Sequence, residues 1–210
     1  MSEKFYNIDE QRRWNEDYMW TNDGHEWSEL FKGTDALWNE YIFEHVREFR
    51  NRNILEIAPG RGRMTQYLMI LAKDLKIIDL NQSCIEICKK KFGSYISGYY
   101  VNDGKSLHVI QDNSQDLVFS FDSFVHMHRN VTEEYIKEIR RVLNYGGKAY
   151  IHHSWFREGS EYSTNNIAGR ANMSPELFKE MVESNKMNII TQFPINFSEV
   201  TDCITIFEKI

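Results

Sequence analysis

The hydrophobic positions of this chain fall into two alternating rhythms. Short apolar runs, "NILEIA" (53–58), "LKIIDL" (75–80), "DLVFSF" (116–121) and "KAYIHH" (148–153), read as strands buried on both faces. Between them, apolar residues recur at the three- and four-residue spacing of amphipathic helices. Thr34 is placed to cap a helix from Asp35 to about Phe49; a second runs from about Gly62 to Ala72, and Ser83 caps "SCIEICKKKF". "YISGYYV" (95–101) predicts another strand, interrupted by Gly98. Thr132 caps "EEYIKEIRRVL", where Tyr135, Ile136, Ile139, Val142 and Leu143 form one stripe, and Gly146 and Gly147 stop the helix. "SPELFKEMVES" opens with Ser174 as cap and Pro175 at the first helical position. The chain closes with "MNIITQF" and "DCITIFEKI", two strands without a crossover helix, which therefore pair antiparallel. The pattern predicts five βα units and a hairpin: an α/β, Rossmann-like, seven-stranded and mostly parallel sheet with helices on both faces.

Composition narrows the field without choosing a function. At 210 residues, with 41% hydrophobic and 27% charged, the chain fits one globular domain. We expect residues 1–50 to form a helical, aromatic lid segment on a domain spanning 51–210. The net charge of −6 argues against a nucleic-acid partner, and "KKK" at 89–91 suits the C-terminal end of a helix. The densest apolar run, "YLMILA", falls far short of the roughly 20 residues that span a bilayer, so no membrane insertion is expected. With a polar, partly acidic start to the chain, a cytoplasmic location is expected. Cys84, Cys88 and Cys203 are too few and too scattered for a disulfide framework or a metal site.

In an open α/β sheet, ligands bind beyond the carboxyl ends of the strands, and five polar or glycine-rich segments fall there. They are "APGRGR", "DLN", "NDG" (102–104), "DSFVHMH" (122–128) and "HHSW" (152–155). Asp79 follows Gly60 by 19 residues, the distance at which an acid can accept from both ribose hydroxyls. That suits NAD and a sulfonium nucleoside equally. Two features favour the sulfonium. Glu56 precedes the glycine turn, where a pyrophosphate would be repelled but a cationic sulfur and an ammonium would be welcome. Arg63 can pair with the carboxylate of the same ligand, and Asp103 offers an acceptor to the exocyclic amine of adenine.

Together, "LEIAPGRGR", the acid ending "IIDL", "ND" after the third strand, "DLVFSFDSFVHMH" and "LNYGGKAYIHHS" resemble the successive motifs of class I S-adenosylmethionine-dependent methyltransferases, over about residues 50 to 210. The resemblance implies S-adenosyl-L-methionine as cofactor and S-adenosyl-L-homocysteine as product. It implies that Glu56, Gly60, Gly62 and Arg63 line the methionine part, that Asp79 and Leu80 hold the nucleoside, that Asp103 and the Gly104 backbone meet the adenine edge, and that Phe121 and Asp122 flank the cofactor. Pro59 departs from the family pattern: it removes an N–H, leaving the turn to be held by the glycines.

Methyl transfer to a hydroxyl needs a base, and His126, His128, His152 and His153 all lie in or beside the loops after the fourth and fifth strands. His126 is the first choice, with Asp122 as orienting carboxylate and His153 second; His152 and Trp27 are expected at the substrate. Trp14, Trp20, Trp27 and Trp38 suit either a lid with faces for flat ligands or staples to the sheet. "DGHEWSELFKG", "FSFDSFVHMH" and "IHHS" further resemble small methyltransferases found with bacterial surface-glycan assembly proteins, which implies a sugar hydroxyl as acceptor and glycan-assembly proteins as partners. The alternatives are a non-sugar metabolite as O or N acceptor, a non-catalytic cofactor-binding module and an NAD-linked dehydrogenase.

Overall fold

The computed structural model describes residues 20–155, 170–197 and 200–210, so Trp14 and most of the first twenty residues of the expected lid lie outside it. Seven strands form one sheet: β1 (Asn53–Ile57), β2 (Asp74–Asp79), β3 (Gly98–Val101), β4 (Gln115–Ser120), β5 (Leu143–Ser154), β6 (Met187–Phe197) and β7 (Val200–Lys209). Their order is β3-β2-β1-β4-β5-β7-β6, and β1 to β5 run parallel while β7 pairs antiparallel with β5 and β6. This is the Rossmann-like sheet that the alternation of apolar runs predicts.

Helices cover both faces. α1 (Thr34–Leu37) passes through a π turn (Trp38–Ile42) into α2 (Phe43–Val46), and α3 (Thr65–Leu71) and α4 (Gln82–Phe92) follow. α5 (Arg129–Val142) and α6 (Pro175–Ser184) complete the set. Because side chains alternate along a strand, each central strand feeds two cores. Ile54, Leu117, Phe119, Tyr150 and Ile204 pack with Leu37, Ile42, Leu68 and Cys88 on one side. Leu55, Ile57, Val118, Ala149 and Ile151 pack with Tyr135, Ile136, Ile139 and Phe178 on the other. Among the described residues, no helix is long and apolar enough to cross a membrane.

The departures from the sequence reading are local and have local causes. α5 starts one turn early, at Arg129, so Thr132 is a buried first-turn residue rather than the cap. It ends at Val142 because Leu143 already pairs with Gln115 of β4, which leaves Gly146 and Gly147 inside β5. Asn81, not Ser83, stands at the start of α4. Residues 102–114, between β3 and β4, form no helix, so there are four βα units instead of five. That crossing is held from below by α5: Glu138 accepts from Leu107 N–H, and Arg141 donates to the carbonyls of Leu107 and Ile110. Ser174 caps α6 as expected, accepting from Leu177 N–H at 3.1 Å.

Strand order reverses between β1 and β4, which opens a crevice above their carboxyl ends. The turn after β1 is shaped for close approach. Gly62 donates to Pro59 O at 3.0 Å, and Gly60 and Gly62 have φ of +57° and +90°. A Cβ on Gly62 would stand 2.5 Å from Phe92 Cε2. Gly62→Ala is therefore expected to cost about 2–4 kcal/mol through positive-φ strain and overpacking, read as a thermal midpoint lowered by roughly 5–15 °C.

Candidate active site

The crevice is a cavity of about 700 Å³, walled by the loops after β1, β2 and β4, by the segment around Trp20 to Leu30, and by Arg170, Phe197 and Val200. That size suits a drug-sized ligand or a cofactor. Glu56, Gly60, Arg63, Asp79, Leu80, Phe121, Asp122, His126 and Trp27, all expected at the site, line it.

Two carboxyl groups sit at the turn. Glu56, at the end of β1, is 2% exposed and accepts from Thr65 Oγ1 at 2.6 Å. Burial raises its pKa to about 8; the Thr65 hydrogen bond and Arg63 oppose the rise, and Asp79 adds to it. Asp79, 6% exposed, closes β2 onto the turn by accepting from Gly60 N–H at 3.2 Å and Asn81 N–H at 2.8 Å. Burial lifts it to about 6, against those backbone hydrogen bonds. Thus one buried carboxyl holds each side of the glycine turn, ready to be ionised by a cation.

The opposite wall is a chain of alternating charges. Arg63, 5% exposed, donates to Asp122 Oδ2 at 2.8 Å and to Ser28 Oγ at 3.0 Å, between the rings of Trp27 and Phe121. Arg170 donates from Nε and Nη2 to Asp202 Oδ2, at 3.0 and 2.7 Å, and stands 4.0 Å from Asp122 Oδ1. His152 closes the circuit. Its Nδ1 accepts from Asp122 N–H at 3.0 Å, so the ring hydrogen is on Nε2, which faces Asp202 Oδ2 at 3.5 Å. Burial would raise Asp122, but Arg63 first, with Arg170 behind it, holds it at about 2. Asp122 adopts φ +63°, a left-handed conformation that a non-glycine residue keeps only when its surroundings fix it.

The histidines separate sharply. His126 closes a short turn after β4 and lines the cavity. His152 is fully buried under Phe121 and Phe197 and braces Asp122 instead of reaching the cavity. His153, its neighbour, points to the other face of the sheet. Its ring stacks on Phe178 at 4.0 Å, its Nε2 accepts from Thr205 Oγ1 at 2.7 Å, and burial pushes its pKa down to about 3. His128 is exposed and off the cavity.

The expected adenine contacts differ most. Asp103 is exposed and folds back to accept from Lys105 and Ser106 N–H, and Gly104 N–H donates to Asn102 Oδ1. Neither lines the cavity. Asn81, Cys84, Met127 and Tyr135 do, and none was singled out from sequence for this role. Arg170 was also missed, since one arginine in "GRANM" carries no pattern. Trp20 lies on Gly60, where an added Cβ would be 2.9 Å from its ring, and packs on Trp27 with centroids 4.8 Å apart. Trp38 instead is a core staple, stacked on Tyr67.

Against this geometry the comparisons are coherent. Residues 55–151 match the family model described as a methyltransferase domain. A comparison with curated protein sequences finds no match. The structure resembles a SAM-dependent methyltransferase from Leishmania major (TM-score 0.74, 10% identity, covering 96% of this chain and 83% of that one). It also resembles a putative sarcosine dimethylglycine methyltransferase from Galdieria sulphuraria (0.67, 14%, 84% and 85%). A third is an S-adenosylmethionine-dependent methyltransferase from Clostridium acetobutylicum (0.67, 15%, 89% and 97%). The chain thus shares the Rossmann-like fold of these methyltransferases, and 55–151 is the span that matches the methyltransferase domain. S-adenosylmethionine is named for the Leishmania major and Clostridium acetobutylicum proteins, and the residues of this crevice suit such a ligand: a glycine turn with two buried carboxyl groups, Asp79 and Glu56, beside it.

The carboxyl pair leaves a signature in the free protein. In an unfolded chain Glu56 and Asp79 titrate near 4.5 and 3.8, while the folded protein keeps their protons to about 8 and 6. Between those limits the native state binds more protons than the unfolded one, so stability falls as pH rises. Thermal unfolding of the ligand-free protein is expected to show this decline from about pH 5 to 8, and Glu56→Gln is expected to flatten its upper part.

Proposed function

We propose that the protein transfers the methyl group of S-adenosylmethionine to a hydroxyl of a sugar or glycan, with His126 as the general base. The observation that carries the choice of base is that His126, of the four histidines near the ends of β4 and β5, lines the cavity. When bound, the cofactor supplies a methyl carbon made electrophilic by a cationic sulfur. The protein's part is to hold the acceptor oxygen in line and accept its proton. Glu56 and Asp79 bind the charged and ribose portions, and Arg63, fixed by Asp122 and Ser28, turns its remaining N–H groups to the amino-acid carboxylate. Trp27, Phe121 and Phe197 line the same cavity as His126, an aromatic setting that suits a sugar.

A second reading, an amine acceptor, draws on the acidic side chains of Asp23, Glu26 and Glu29 along one wall, and on the amine named for the Galdieria sulphuraria protein. A panel of sugars, lipid-linked glycans and amines, scored by mass spectrometry, separates the two: a product heavier by one methyl on oxygen supports the first, and methylated amine alone replaces it. With the acceptor so found, His126→Ala is expected to lower kcat by about 100-fold or more while the affinity for S-adenosylhomocysteine, measured by calorimetry, stays within about twofold. Full activity in that variant would remove His126 from the mechanism.

A further inference from the structure

Asp103 and Gly104 do not line the cavity, so the adenine ring needs another reader, and Tyr135 of α5 is among the lining residues. Tyr135 is 2% exposed, and its hydroxyl lies 2.9 Å from Asn102 Nδ2. The direction of that hydrogen bond is fixed by two other contacts of the same amide. Asn102 Oδ1 receives Gly104 N–H at 3.1 Å, which only an oxygen can do, and Nδ2 donates to Ser106 O at 2.8 Å, which only an NH₂ can do. The amide therefore donates to the phenol oxygen, and the phenol's own hydrogen is directed elsewhere. Burial, and behind it the carboxylates of Asp79 and Asp103, push the phenol's pKa up while the Asn102 hydrogen bond opposes them, so the group keeps its proton and lies in the field of the ribose-side acid.

Resting on S-adenosylmethionine as cofactor, we propose that the Tyr135 hydroxyl, oriented by Asn102, is the hydrogen-bond donor that reads a ring nitrogen of the adenine. A donor at this place selects an acceptor on the purine, in contrast to the acceptor for the exocyclic amine that Asp103 was expected to provide. Tyr135 is a specificity residue: it touches the nucleoside and takes no part in the transfer.

The test is a cycle of protein and ligand changes, read by calorimetry with S-adenosylhomocysteine and its 1-deaza, 3-deaza and 7-deaza analogues. Tyr135→Phe is expected to weaken S-adenosylhomocysteine by roughly 10-fold, the cost of leaving a buried acceptor unpaired. One deaza analogue should bind wild type more weakly by a similar factor and lose nothing further in Tyr135→Phe. Asn102→Asp, which offers the phenol an acceptor and so draws its proton away from the ligand, should weaken S-adenosylhomocysteine in the same direction. If all three analogues lose affinity equally in wild type and Tyr135→Phe, the assignment is overturned although the cofactor stands. If wild type binds no S-adenosylhomocysteine at millimolar concentration, the cofactor itself is overturned, and the two failures are distinct.

Discussion

The alternation of Arg63, Asp122, Arg170 and Asp202 is the constraint on which the site depends. Each charge comes from a different part of the chain: the turn after β1, the end of β4, the segment before α6, and β7. Burying a charge in isolation is costly, so each is stable there only because the next is present; removing one partner of such a set leaves its neighbour buried and uncompensated, at a cost of about 3–5 kcal/mol. Two cations and two anions balance, and His152 ties the ring shut through the Asp122 backbone. The circuit thereby decides where β4 ends, why Asp122 tolerates a left-handed backbone, and how the C-terminal hairpin is locked to the first βα turn.

That arrangement also separates two electrostatic halves of one cavity. On the circuit's side, charge is already compensated and rigid. At the glycine turn it is not: Glu56 and Asp79 are carboxyl groups whose burial favours the protonated form until a cation arrives. A sulfonium ligand with an ammonium tail supplies positive charge on the uncompensated side. The dehydrogenase alternative fits poorly for the same reason, since a pyrophosphate brings no positive charge to ionise the Glu56 carboxyl.

Much of this was legible in the sequence, and the limits follow from what local patterns encode. Period-two and helical spacing revealed the strands and most helices because burial on both faces leaves an uninterrupted apolar run, as in "NILEIA". The place of Gly60, Glu56 and Asp79 at the cavity was readable because it depends on position along a strand–turn–helix unit. Tyr135 was hidden, since it belongs to the apolar stripe of α5 and only its hydroxyl departs from a core role. His152 and His153 looked equivalent, yet the strand pleat sends them to opposite faces of the sheet. Asp122 stands four residues before His126, which suggests a pair; its carboxylate is also held by Arg63, a contact 59 residues away in the chain that no local pattern announces.

The division between the matched domain and the rest of the cavity bears on specificity. Glu56, Arg63, Asp79, Asp122 and His126 fall within residues 55–151, the span that matches the methyltransferase domain. Trp20, Trp27, Leu30, Arg170, Phe197 and Val200 come from outside it. These outer walls stand on an N-terminal segment clasped by Asp23 to Lys91 and Arg61, and on the hairpin end secured through Asp202. A cofactor subsite must keep one shape for one ligand, whereas walls carried by terminal segments and a strand end can change without disturbing the sheet. On the proposed reading, acceptor choice is therefore written in the aromatic segment around Trp20 to Leu30 and the end of the β6–β7 hairpin.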